Sequence, residues 1–214
     1  MKVLIAEDHI LVRKGLEVIV GDVLGSHCII SFTTEGKQTI EKLSKMFYDI
    51  LIMDTNMPNT DGLDLVSKAL NVRPDLKILV FTNNQETLFA RRYLSAGVFG
   101  LINKRQSEDV IREAIHKISN GRRFISENLA MSFAYSHNKK AVDNPFDSLS
   151  NREFEVTNLL LKGFGAIEIA NVLSINTSTA SSYRARVFTK LKISNFMELI
   201  KLSRQFGILE EFHD

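Results

Sequence analysis

Cysteine is almost absent from the 214-residue chain: Cys28 stands alone. That excludes an internal disulfide framework and a cysteine-rich zinc site, and leaves Cys28 expected in a strand as a small buried hydrophobe. No apolar run approaches the ~20 residues that span a bilayer, so no membrane role is expected. The N-terminal "MKVLIAEDH" has one lysine and a short apolar run before its acids, too little for a signal peptide, so a cytoplasmic location is expected. Charge of either sign is not in excess. The net charge is only +2 and says little about partners. Internal repeats and low-complexity segments are lacking. What remains, 44% hydrophobic and 24% charged, is the composition of a globular protein, long enough for one large or two small domains.

Five short apolar runs recur in the first half: Val3–Ala6, Cys28–Ile30, Ile50–Met53, Ile78–Phe81 and Val98–Ile102. Their Val, Ile and Phe content suits strands. Helical spacing lies between and after them, as in Leu63, Leu65, Val66 and Leu70, and in Val110, Ile111, Ala114, Ile115 and Ile118. Five strand–helix alternations, at about 25 residues per unit, predict an α/β domain with a parallel sheet covered on both faces. Residues 123–146 read as a linker. "SHNKKAVDNPFDS" is polar and aperiodic, and Leu129–Tyr135 is compatible with a helical extension. Beyond it the pattern is helical only. Ser150 with Glu153 forms a capping-box signature, Gly163 can end that helix, and Asn176 and Asn195 can cap two later ones. Four short helices imply a small α domain over 147–214.

The segment "DILIMDTNMP" drives an apolar strand into a carboxylate, Asp54. An acid there can cap a helix, form a turn or do chemistry. In a parallel sheet all strand C-termini share one edge, where ligands collect. Collecting the residues that follow the runs gives Glu7 and Asp8, Asp54, Thr82, and Asn103 with Lys104. Three clustered carboxylates repel one another, and a hard divalent cation such as Mg²⁺ relieves that repulsion through oxygen ligands. Asp8 and Asp54 would bind it directly with a backbone carbonyl near Asn56, and Glu7 through water. Lys104 and the Thr82 hydroxyl would hold oxygens of an incoming phosphoryl group, with Asp54 its nucleophilic acceptor.

"IAEDH", "DILIMDTNMPNTDGLDLV", "FTNN" and "AGVFGLINK" together resemble a two-component receiver domain over residues 1–122. The resemblance implies a flavodoxin-like five-stranded fold. It also implies phosphorylation of Asp54 by a sensor histidine kinase or a small acyl phosphate, with Thr82 and Lys104 reading out the phosphate. Asp61-Gly62 fits the family's turn into its third helix. Three positions before the lysine the family usually has an aromatic switch residue; here it is Leu101, with Phe99 nearby. Glu7 stands where Asp is more common, and Arg105 follows Lys104 in place of the frequent proline.

Residues 177–192 hold Arg184, Arg186, Lys190 and Lys192 and no acid, a local basic surface. With "LSNRE", "EIA..L" and "R.R....KL", the chain from about 147 to 207 resembles the LuxR-type helix-turn-helix of the NarL/FixJ response regulators. The motif lies at about Ala166–Ala185, and its second helix is expected in the major groove. By this resemblance Asn176, Thr177, Thr179, Ser181, Ser182 and Ala185 lie towards double-stranded DNA, while Arg184, Arg186 and Lys190 meet phosphates. The family often has Thr-Val-Lys and a His where this chain has Thr179-Ala180-Ser181-Ser182-Tyr183, so a basic contact is missing at 181. Val187 and Leu191 read as core, and Met197 and Ile200 in part as a dimer seam.

The resulting expectation is a response regulator, not an enzyme, whose phosphorylated form binds DNA as a homodimer. A phosphatase with an aspartyl nucleophile usually has a second Asp two residues on, where this chain has Asn56. Two further readings stay open: a receiver that serves only as a dimerisation module, and phosphate-controlled protein binding with no operator.

Overall fold

The computed structural model describes residues 1–83, 86–127, 129–131, 144–206 and 208. By internal contacts the chain divides into two compact units, Met1–Asn138 and Lys139–Asp214.

The first unit alternates strand and helix five times. The strands are β1 (Lys2–Ala6), β2 (Ile29–Thr33), β3 (Ile50–Met53), β4 (Lys77–Thr82) and β5 (Gly100–Asn103). The helices are α1 (Ile10–Leu24), α2 (Gly36–Lys45), α3 (Gly62–Val72), α4 (Glu86–Ser95) and α5 (Glu108–Ser119). All strand pairs are parallel, in the order β2-β1-β3-β4-β5. Every residue of β3 is buried, as a strand covered on both faces must be. Val3, Ile5, Ile50, Ile52, Leu79, Phe81 and Ile102 share one core cluster with Leu16 and Val20 of α1 and Ile111, Ala114, Ile115 and Ile118 of α5. The alternate residues, Leu4, Leu51, Val80 and Leu101, are buried on the opposite face, on the side of α2, α3 and α4.

One expected strand is displaced. The second begins at Ile29 and ends at Thr33, so Cys28 precedes it and is half-buried. β2 is an edge strand whose alternation "IISFT" includes polar Ser31 and Thr33, which an apolar-run criterion cuts short. Burial pushes the Cys28 thiol up. Of the expected helical extension Leu129–Tyr135, residues 129–131 are helical and 132–135 lie outside the described residues.

The second unit opens with a 3₁₀ turn, Pro145–Ser148, followed by α6 (Asn151–Leu161), α7 (Ala166–Val172), α8 (Thr177–Leu191) and α9 (Phe196–Gln205). Ser150 and Glu153 form the expected capping box. Beyond α6, Gly163 adopts φ 86°, and the amide of Phe164 bonds back to the Leu159 carbonyl. A side chain there would be strained, and the glycine lets the chain turn into α7. Phe146 anchors this core, edge-on to Phe154 and Phe206 at centroid distances of 6.5 and 6.4 Å. Val187 and Leu191 are buried in it. No described helix is long and apolar enough to cross a membrane.

Candidate functional site

Strand register builds the acidic rim. Ala6 pairs with Met53, and the ladder runs one residue further, with the Asp54 amide donating to the Ala6 carbonyl at 2.8 Å. Asp54 therefore lies beside Glu7 at the gap between β1 and β3, where strand order reverses. Thr82 pairs with Asn103, and the Lys104 amide bonds to the Thr82 carbonyl at 2.8 Å. Asp54 caps no helix. The next one begins at Gly62, and its N-cap is Asp61, which accepts from the amides of Leu63 and Asp64.

Lys104 Nζ sits between two carboxylates, 2.6 Å from Glu7 Oε2 and 2.9 Å from Asp54 Oδ2. All three side chains are nearly inaccessible, at 7%, 1% and 2% exposure. Glu7 Oε1 accepts from the backbone amide of His9 at 3.1 Å and meets His9 Nδ1 at 2.9 Å. Both oxygens of Glu7 are thus engaged. By contrast Asp8 Oδ1 and Asp54 Oδ1 are buried without a hydrogen-bond partner, although His9 Nδ1 lies 3.1 Å from the former.

Burial pushes the Asp54 carboxyl above its ordinary range. The charge and hydrogen bond of Lys104 and the Asn56 amide oppose that rise, and Glu7 adds to it. His9 is raised as well, first by its bond to Glu7 and then by Asp8, with its own burial and Lys104 opposing. Three carboxylates face one ammonium, so the pocket carries two uncompensated negative charges that a protonated His9 would halve. Ligand atoms of Glu7, Asp8, His9 and Asp54 lie within 4.8 Å of one another. Two orphaned oxygens in an oxygen-rich, electronegative pocket suit a hard divalent cation.

Thr82 is fully buried, and its hydroxyl lies 2.7 Å from that of Thr55. Leu101 is buried in β5 with no exposed surface. Asn56 is exposed. The structure thus brings together Glu7, Asp8, Asp54 and Lys104, with Thr82 two residues past the β3–β4 register pair Met53–Val80. Sequence reasoning missed His9 and Thr55. Each directly follows a selected acid, and adjacency was the available signal.

In the second unit Asn176, Thr177, Ser181, Ser182, Arg184, Ala185 and Arg186 are exposed, and Thr179 is half-buried. Asn176 stands at the N-cap of α8 but makes no side-chain cap bond. Arg184 lies over the Phe188 ring and Arg186 over that of Tyr183. Lys190 behaves differently from the other cations. Its Nζ is 2.6 Å from Glu153 Oε2 and 3.3 Å from the Ser148 carbonyl, tying α8 to the start of α6. Met197 is exposed at 62%, and Ile200 is half-buried.

Comparison with known proteins agrees over both units. The family described as "Response regulator receiver domain" matches residues 3–116, and "Bacterial regulatory proteins, luxR family" matches 147–203. Response regulator GacA of Pseudomonas aeruginosa is 31% identical over 211 residues, covering 98% of each chain. Response regulator UvrY of Escherichia coli K12 is 30% identical, covering 97% of this chain and 95% of its own. Among solved structures, RcsB of Salmonella enterica serovar Typhimurium, bound to a promoter in the presence of the phosphomimetic BeF₃⁻, is 25% identical. It aligns with a TM-score of 0.59 over 94% of this chain and 97% of that one. A receiver match over more than half the chain, a helix-turn-helix match after it and relatives similar from end to end identify this chain as a response regulator of the LuxR-type DNA-binding family, acting in transcription regulation.

Proposed function

We propose that Asp54 accepts a phosphoryl group from a sensor histidine kinase or a small acyl phosphate, and that this controls dimerisation and DNA binding. The observation that carries the reading is the buried Asp54 carboxylate, with one oxygen on Lys104 and the other without a partner, beside Glu7 and Asp8. An Asp54 oxygen attacks phosphorus. The new O–P bond forms as the bond to the donor's imidazole nitrogen, or to the acyl oxygen, breaks, and the leaving group departs with that electron pair. Lys104 supplies positive charge to the phosphoryl oxygens, and the Thr82 hydroxyl donates to them. Asp8 and Asp54, the Asn56 carbonyl and, through water, Glu7 would hold Mg²⁺, which would neutralise charge on the phosphoryl group.

The proposed organisation is a receiver over 1–122, a linker over 123–146 and a DNA-binding domain over 147–214, in a cytoplasmic protein without catalytic turnover. Asn176, Thr177, Thr179, Ser181, Ser182 and Ala185 meet double-stranded DNA, with Arg184 and Arg186 on phosphates. Lys190, expected on phosphate as well, instead fixes α8 against the start of α6 through its pair with Glu153. Leu101 stands at the position of the usual aromatic switch residue, Thr82 is the switch hydroxyl, and Met197 and Ile200 form part of a homodimer seam. Support comes from relatives: solved complexes include RcsB with DNA, and two RcsB dimers on two parallel DNAs.

Intact mass after incubation with Mg²⁺ and acetyl phosphate tests the reading, with Asp54→Asn alongside. One phosphoryl group is expected on the parent alone. No gain by a folded parent would leave the acidic rim a metal site and favour a phosphate-independent dimer.

A further inference from the structure

A phosphorylated Asp54 has to be sensed by something that can change partners. Leu101, on the strand where the family usually has an aromatic switch residue, has no polar atom and is completely enclosed. The layer it belongs to nevertheless contains a buried aromatic hydroxyl. Tyr93, on α4, is 1% exposed and among the largest enclosed side chains of the described residues.

Its surroundings connect it to the acceptor. A Cβ built on Gly62 would overlap the Tyr93 hydroxyl and would stand 3.4 Å from Thr55 Cβ. Tyr93, the first residue of α3 and the residue directly after Asp54 therefore border one spot. Thr55 continues the chain from β3 in register with Thr82 on β4, and their hydroxyls are 2.7 Å apart. Both are buried, at 2% and 0% exposure. Three buried hydroxyl side chains thus follow one another: Thr82, expected on the phosphoryl oxygens, meets Thr55, next to the acceptor in sequence, and Thr55 and the Tyr93 hydroxyl border Gly62. A hydroxyl both donates and accepts, so each can reverse its bond when a neighbour turns away. In a pocket closed to water, a hydroxyl that loses a partner must find another within the protein.

We propose that Tyr93 reports the phosphorylation state of Asp54 to α4 through the Thr55–Thr82 hydroxyl pair, a positioning role that the all-carbon Leu101 cannot fill. The proposal rests on Asp54 being the phosphoacceptor. When Thr82 turns its hydroxyl to a phosphoryl oxygen, the pair with Thr55 is remade. Thr55 then competes for the polar atoms around Gly62, where the Tyr93 hydroxyl lies. Because Tyr93 is carried by α4, the change reaches a surface element without an aromatic side chain crossing from β5. Gly62 completes the device, since any side chain there would displace the Tyr93 hydroxyl.

The test uses the full chain with Mg²⁺ and acetyl phosphate, comparing the parent, Tyr93→Phe, Thr55→Val and Leu101→Met. Intact mass reports phosphoryl gain, and backbone hydrogen exchange followed by peptide mass reports on α4. In the parent, phosphorylation is expected to change α4 exchange by about threefold or more. Tyr93→Phe and Thr55→Val should gain the same mass and lose that change, because each deletes one hydroxyl and keeps the shape. Leu101→Met should gain the mass and keep the change. A parent that gains no mass overturns the phosphoacceptor reading and this inference with it. A phosphorylated Tyr93→Phe whose α4 exchange still responds as the parent's does overturns this inference alone. The same response in Thr55→Val removes the hydroxyl pair from the route and overturns it as well.

Discussion

Replacing Lys190 by Met asks whether a cation on the recognition helix binds DNA or builds the domain. Met keeps the apolar stem and deletes the ammonium. In the parent, Glu153 Oε2 accepts from Lys190 Nζ at 2.6 Å and from the Ser150 amide at 2.7 Å, and its side chain is only 4% exposed. Without Lys190 a nearly buried carboxylate keeps one backbone donor and the helix N-terminus. A hydrogen bond to a charged group contributes roughly 1.5–3 kcal/mol. Lys190 is 41% exposed, so solvent screening reduces this to about 1–2 kcal/mol. In a unit this small that lowers the melting transition by roughly 5–10 °C. The difference is pH-dependent with a definite sign. Burial raises the Glu153 carboxyl, but Lys190 and Ser150 together bring it below its usual value. A depressed folded-state pKa contributes stability that is present above the unfolded value and lost as pH falls through the folded one. Parent and variant should therefore converge in acid. Calorimetry of the full chain across pH, with DNA binding across salt, is the assay. An unchanged transition together with a drop of about one in the salt slope would make Lys190 a phosphate contact and refute the structural role.

Arg184→Ala should do the reverse, lowering the salt slope of DNA binding by about one with no change in melting, as read by titrations at several salt concentrations. Mg²⁺ at a hundred times its dissociation constant should stabilise the first unit by about 2.7 kcal/mol, and thermal melts of Asp54→Asn should lose most of that gain. Gly62→Ala should cost about 1–3 kcal/mol in denaturant unfolding, because its methyl overlaps the Tyr93 hydroxyl. A neutral result would mean that α4 gives way without cost.

The sheet and its rim were legible because the signals are local. A fully buried strand is an apolar run, and a parallel sheet puts whatever ends each run on one edge, so the one or two residues after the runs include Glu7, Asp8, Asp54, Thr82 and Lys104. The caps at Ser150 and Asn195 were legible for the same reason, their partners lying three residues on. What stayed hidden depends on separations the sequence does not display. The pairing of Lys190 with Glu153 is invisible in the sequence because the two lie 37 residues apart. Cys28 was placed one residue inside a strand because an edge strand alternates where a central one does not. Tyr93 gave no signal at all: within α4 it has the appearance of any aromatic on a helix, and its position over Gly62 follows from the packing of α3 against α4. The departure at Leu101 was visible as a missing ring. The buried ring of Tyr93, by contrast, is set by how α3 and α4 pack on the sheet, which no spacing in the sequence displays.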